Sequence, residues 1–128
     1  MTQTVVSRWL NKLPENEKNL PLLIVDSSIY TPRTAYNEVM RSSELGNKLQ
    51  ALIESGRFGT TAYEEEQVAK IRLRAWLQTQ PEIVMFHTLS GKSFTPSQLL
   101  QEIESNTTIG QQWIRNEQQH MRLLVSAR

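Results

Sequence analysis

The chain has 128 residues, of which 38% are hydrophobic and 21% are charged, which is enough apolar material to fold one core and too much for an intrinsically disordered chain. It contains no cysteine, and this excludes disulfides, a thiolate nucleophile and cysteine-ligated metal sites. Lys and Arg total 14 against 13 Asp and Glu, with 7 basic and 7 acidic residues up to residue 64, so no broad field favours a polyanionic partner.

The first 13 residues are predicted to form a helix rather than a targeting segment. Arg8, Asn11 and Lys12 interrupt the continuous apolar core that a secretory signal needs. The longest apolar runs, 20–25 and 83–86, are far shorter than the roughly 20 residues of a membrane-spanning helix. We therefore expect no membrane insertion and a cytoplasmic location.

The apolar residues of this first segment recur at helical spacing, which predicts an amphipathic helix over residues 2–13 that ends before a proline. They are Val5, Val6, Trp9, Leu10 and Leu13, followed by Pro14. Residues 22–25 are a short β-favouring run, which predicts a strand in a small hairpin.

A pair of helices follows this hairpin. Thr31 and Pro32 have the chemistry of an N-cap and a first helical position, and Ser43 is predicted to cap the next helix. Gly46 lies in the first turn of that second helix, where glycine is a poor helix former. We interpret it as a close approach of the preceding helix, with an anion bound at the helix start as the alternative.

The glycine-containing segment 55–59 separates the two halves of the chain. Beyond it, Thr61 and Glu64 form a predicted capping box for a helix ending before Pro81. Its apolar residues, Trp76 among them, cover more than one face, which predicts the most buried helix. Arg72 is interpreted as a charge toward the negative end of this helix. A second hairpin is predicted in 83–95, pairing with the first in one sheet, and a final helix spans about 108–125.

An internal repeat appears when the chain is shifted by 64 residues, because Tyr30-Thr31-Pro32 then falls on Phe94-Thr95-Pro96 and Gly46 falls on Gly110. Upstream, Leu22 falls on Phe86 and Val25 on Leu89, while Trp9 corresponds to Trp76 with an insertion of about three residues.

This repeat decides the predicted fold. We expect an α+β, predominantly helical fold in which two pseudo-repeats fuse into one core, each comprising a helix, a short strand or hairpin, and a helix–turn–helix pair. The repeats cover approximately 1–58 and 60–128 of a single domain, 1–128. An all-α fold is the alternative.

No enzymatic signature is present in the sequence. His87 and His120, the only histidines, do not stand in a metal-binding motif, and Asp26 is the only aspartate. No nucleophile-elbow sequence occurs either. We predict no catalytic, cofactor-binding or metal-binding residues and no cofactor, with a small enzyme lacking a recognisable motif as an alternative.

The leading hypothesis is a non-enzymatic protein-interaction module, such as an adaptor, assembly factor or regulatory subunit. Its partner is another protein or a second copy, because two equivalent faces suit a homodimer. The candidate contacts are side chains of the types that dominate interfaces, namely Tyr36, Phe58, Tyr63, Trp113 and Met121.

Nucleic-acid binding through the paired helices is the second hypothesis, with Lys48, Arg57, Arg115 and Arg122 as candidate phosphate contacts. Balanced charge argues against it. Because the repeated residues account for folding, a function specific to this chain is expected where the halves differ: in the Gln-rich last helix, the strand with His87 and the loop 16–19.

Overall fold

The computed structural model describes the backbone of residues 2–126 and the side chains of residues 5–126. This part of the chain contains six α-helices, one short 3-10 helix and four short strands. They are α1 (Thr2–Lys12), the 3-10 helix (Glu15–Glu17), β1 (Leu23–Val25), β2 (Ser28–Tyr30), α2 (Pro32–Met40), α3 (Glu44–Ser55), α4 (Ala62–Gln78), β3 (Phe86–His87), β4 (Ser93–Phe94), α5 (Pro96–Glu104) and α6 (Thr108–Val125). The predicted α+β, predominantly helical class is confirmed, and the all-α alternative is wrong.

The four strands form two separate antiparallel hairpins, β1 with β2 and β3 with β4. The prediction that both hairpins join in one sheet is therefore wrong. A physical reason lies at the edge of β1, where the Ile24 N–H donates to the Phe58 carbonyl at 2.9 Å. The segment that links the halves of the chain thus occupies this edge, and α3 and α4 pack against β1.

The two hairpins differ in their turns. Asp26 and Ser27 form a two-residue turn with positive φ. The second hairpin has a three-residue turn, 89–91, flanked by Thr88 and Lys92, whose backbones are hydrogen-bonded to each other. Leu23 pairs with Tyr30, and Phe86 pairs with Phe94. Phe86 therefore occupies the position of Leu23, not of Leu22 as the ungapped alignment predicts, because the second turn is one residue longer.

The predicted helix starts are confirmed. Thr31 and Thr95 each cap a helix with a complete capping box, in which the side chain of the residue three positions later, Thr34 or Gln98, accepts a hydrogen bond from the backbone N–H of the cap. Thr61 caps α4 with its hydroxyl alone, which accepts from the Glu64 N–H, so the capping box predicted at Thr61 and Glu64 is incomplete. These local hydrogen bonds satisfy N–H groups that a helix leaves without internal partners, so each start is fixed by its own sequence.

The residue that caps the second helix of each pair also donates a hydrogen bond from its hydroxyl to a carbonyl near the end of the preceding helix. Ser43 and Thr107 accept hydrogen bonds from the N–H groups of Gly46 and Gly110, at 2.9 and 3.2 Å. Each glycine lies against the backbone of the preceding helix, which confirms the interpretation of close helix approach. The chain turns sharply between the helices because the residue before each cap has positive φ.

Thr107→Ala is expected to lower the free energy of unfolding by about 1 kcal/mol, because it removes the cap of α6. The Thr107 hydroxyl also contacts a carboxylate oxygen of Glu102 at 3.1 Å, so the loss affects both helices. Urea denaturation measures the change, and Thr108→Ala, at the exposed neighbouring position, is the control. Equal losses for the two variants would contradict the assigned cap.

The buried apolar side chains form one cluster with members from both halves of the chain. Trp9 on α1 is fully buried, and its indole N–H donates to the Leu124 carbonyl at the end of α6, at 2.8 Å. α1 packs on α2 and α3, and α4 packs on α5 and α6. None of the described helices has the length and apolarity that a membrane span requires.

Candidate functional site

A groove of about 700 Å³ lies between α4, α6 and the segment 14–21 that precedes β1. This volume is in the usual range of ligand-binding pockets, about 300–1,000 Å³. We call it the Trp groove and define it by six of its lining residues: Leu20, Arg72, Trp76, Trp113, Glu117 and His120. Two of the three regions in which the halves of the chain differ, the loop 16–19 and the last helix, contribute to it.

The two helices that line the Trp groove present matching stripes. Arg72 and Trp76 lie one turn apart on α4, and Trp113 and Glu117 lie one turn apart on α6. Arg72 contacts Glu117, and Trp76 stacks on Trp113, so the helices run antiparallel here. The Trp groove therefore has a charged end and an aromatic end, separated by about one helical turn of 5.4 Å.

Arg72 organises the charged end. Its Nε donates to Glu117 Oε1 at 2.7 Å, its Nη1 donates to the Pro21 carbonyl at 2.7 Å, and its Nη2 donates to both oxygens of Glu17, at 2.9 and 3.1 Å. The side chain is only 8% exposed. The guanidinium thus fastens the segment 14–21 to both helices, and each of its three nitrogens donates within the protein.

Two carboxylates outnumber the one guanidinium at this end. The Glu17 side chain is 7% exposed and that of Glu117 is 18% exposed. Among the described residues, none donates a hydrogen bond to Glu117 Oε2, although Oε1 accepts one from Arg72. His120, half-exposed, brings Nε2 within 3.3 Å of Glu17 Oε2. With a neutral His120, the charged end of the Trp groove is net negative.

The aromatic end exposes a tryptophan. The rings of Trp76 and Trp113 stack with centroids 6.4 Å apart and an interplanar angle of 24°, and Trp113 meets Phe86 edge-on at 5.3 Å. Trp76 is 44% exposed, although it is one of the apolar residues that led to the prediction of α4 as the most buried helix. The reason is that the 14–21 segment and α6 flank Trp76 without covering it, which leaves a concave apolar surface.

The structure brings only one of the five predicted partner contacts, Trp113, into the Trp groove. Phe58 and Met121 are fully buried in the core and therefore offer no surface to a partner. Tyr36 is half-buried against the core, and Tyr63 is exposed near the start of α4. The sequence interpretation missed Trp76, whose position on an apolar helix indicated burial.

The four predicted nucleic-acid contacts are Lys48, Arg57, Arg115 and Arg122. Lys48 Nζ lies 3.1 Å from a carboxylate oxygen of Asp26, and this hydrogen bond raises the pKa of the lysine. Arg57 lies 3.9 Å from a carboxylate in the first turn of α4. Arg115 and Arg122 are both exposed on α6. Two of the four cations are thus paired with carboxylates of this chain.

The histidines lie apart from any metal-binding arrangement, since the described residues contain no group of three or more His, Asp or Glu placed to hold a metal ion. His87 Nδ1 lies 2.9 Å from the Ser93 hydroxyl across the second hairpin. Within the described part of the chain, no carboxylate hydrogen-bonds to this exposed pair. The geometry is that of a cross-strand contact and lacks the third group that orients a catalytic histidine.

The geometry defines the class of the molecule: a predominantly helical α+β chain with a preformed groove of ligand-binding size. Comparison with protein families, with curated proteins and with solved structures found no match. Functional inference therefore rests on the chemistry of the Trp groove.

Proposed function

We propose that this chain is a cytoplasmic, non-enzymatic protein-interaction module that binds its partner in the Trp groove. The observation that carries the proposal is Trp76, which is 44% exposed at the edge of a concave, largely apolar site. Tryptophan is the residue type most enriched among the side chains that dominate binding energy, particularly where it lies in a pocket flanked by other contacts. Trp113 and Leu20 supply those neighbouring apolar contacts.

The hydrogen bonds that fix the walls of the Trp groove support its interpretation as a binding site rather than as an incidental surface depression. Arg72 joins Glu17, on the segment before β1, to Glu117 on α6. Because these hydrogen bonds fix both walls before any partner arrives, less conformational entropy is lost on association.

We also propose that the two halves of the chain are diverged copies fused in one domain. In support, each half has the same order of helix, hairpin and helix pair, the same capping boxes and the same glycine contact between helices. Eight residues (15–22) separate Pro14 from β1, against four (82–85) between Pro81 and β3. The longer connection carries Glu17 and Leu20, which line the Trp groove. The groove is therefore built in part from a segment that is longer in the first copy than in the second.

A homodimer formed through the Trp groove is the alternative assembly. The two hypotheses differ in a direct way, since a homodimer dissociates when Trp76 is truncated, whereas a chain that binds another protein keeps its mass. Light scattering of the purified wild-type chain and of Trp76→Ala distinguishes them.

Trp76→Ala is expected to weaken binding of the native partner by about 30-fold or more, since truncating a tryptophan that dominates an interface typically costs 2 kcal/mol or more. Quantitative affinity purification from the native cell measures the retained partners. Tyr63→Ala is the matched control, because Tyr63 is an exposed aromatic residue on the same helix outside the groove lining. Retention of every partner by Trp76→Ala at the wild-type level would contradict the proposal.

A further inference from the structure

We infer that the partner segment bound in the Trp groove carries a Lys or Arg side chain about one helical turn from an apolar or aromatic anchor. The cation lies at Glu117, and the anchor lies against Trp76 and Trp113. This inference rests on the proposed function and adds the chemistry of the partner to it.

The charged end of the Trp groove selects for a cation. All three guanidinium nitrogens of Arg72 donate to protein acceptors, and its charge is already shared between two carboxylates, so it attracts an incoming anion less than a free arginine would. Glu117 Oε2, by contrast, accepts no hydrogen bond from the described residues, and because Glu17 pairs with the same guanidinium, two carboxylates stand against one cation. Because these groups are mostly shielded from water, their charges act more strongly than on an open surface.

The aromatic end selects for an apolar anchor. Trp76 and Leu20 are each more than a third exposed, and a side chain seated between them would remove both from water. The exposed face of Trp76 can also attract the aliphatic stem and charge of a neighbouring Lys or Arg.

The distance between the two ends sets the spacing in the partner. Trp113 and Glu117 are four residues apart on α6, which places their Cβ atoms about 5–6 Å apart. Residues i and i+3 or i+4 of a partner helix have the same separation. An amphipathic helix with an apolar residue and a Lys or Arg at this spacing therefore fits the Trp groove.

A random peptide library selected against the full, folded chain tests this inference. We expect enriched peptides to carry Lys or Arg three or four residues from Trp, Phe, Leu or Met. Their affinity for Glu117→Gln should fall about tenfold, which corresponds to 1.4 kcal/mol. Glu104→Gln is the matched control: Glu104 pairs with another α4 arginine, Arg74, at 2.6 Å, outside the groove lining, so the affinity should not change.

Three results would overturn the inference: enrichment of acidic or uncharged peptides, equal affinity of wild type and Glu117→Gln, or no enrichment. Trp76→Ala separates this failure from failure of the proposed function. If uncharged peptides bind the wild-type chain and lose affinity for Trp76→Ala, the proposed interaction site is supported and the inferred Lys or Arg in the partner is wrong. If neither substitution affects selected peptides and native partners remain bound to Trp76→Ala, both proposals are wrong.

Discussion

Arg72→Met is expected to lower the free energy of unfolding by about 3–5 kcal/mol, since removing one partner from a buried ion cluster leaves its counter-charges uncompensated. Glu17 and Glu117, 7% and 18% exposed, would both lose their guanidinium partner. The Pro21 carbonyl would lose its donor too. Urea denaturation monitored by circular dichroism measures the change.

Replacing all three charged residues is expected to restore most of that stability. In Glu17→Met, Arg72→Met, Glu117→Met, no buried charge remains, and apolar replacements of buried ion clusters are often neutral or stabilising. Arg74→Met is the control, because Arg74 pairs with Glu104 where both side chains are more than 40% exposed, and such pairs contribute roughly 0–1 kcal/mol. Equal losses for Arg72→Met and Arg74→Met would contradict the assigned role of Arg72.

Gly46→Ala and Gly110→Ala are each expected to lower the free energy of unfolding by about 3 kcal/mol, the upper part of the usual range for overpacking. A Cβ on Gly110 would lie 2.6 Å from the Glu102 carbonyl carbon and 2.8 Å from Ile103 Cα. On Gly46, it would lie 2.8 Å from the Glu38 carbonyl carbon. These neighbours are backbone atoms of the preceding helix, so relief requires moving a whole helix.

The sign of the change in the free energy of unfolding distinguishes an effect of packing from an effect of helix propensity. Propensity alone predicts that alanine stabilises a helix by about 1 kcal/mol relative to glycine. Asn47→Ala, at the exposed position that follows Gly46, is the matched control and should change stability by less than about 0.5 kcal/mol. Stabilisation by either Gly→Ala substitution would contradict the close helix approach.

The parts of the fold that local chemistry determines could be predicted from sequence. Thr31 and Thr95 cap the helices they were expected to cap, because a cap depends only on the next three residues. Gly46 and Gly110 lie against the preceding helix as expected, since a glycine in a helix start implies a neighbour that excludes a side chain.

The candidate site could not be predicted in the same way, because it depends on contacts between distant residues. Arg72 was interpreted as a charge at the end of a helix, yet its partners are Glu17 and Glu117, which no local pattern connects to it. Trp76 was expected to be buried, and only the arrangement of the 14–21 segment beside α4 leaves it exposed. The longer connection before β1 could have indicated the site, because a segment present in only one half can form a surface feature that the other half lacks.

The indole N–H signals of the chain test the central claim most directly. Trp76 and Trp113 lie in the Trp groove, whereas Trp9 is buried and donates to Leu124 on the core side, so it is an internal reference. In nuclear magnetic resonance spectra of the full chain, addition of a native partner should shift the Trp76 and Trp113 indole signals and leave that of Trp9 in place. Binding that shifts backbone signals elsewhere and leaves both groove indoles unchanged would contradict the account.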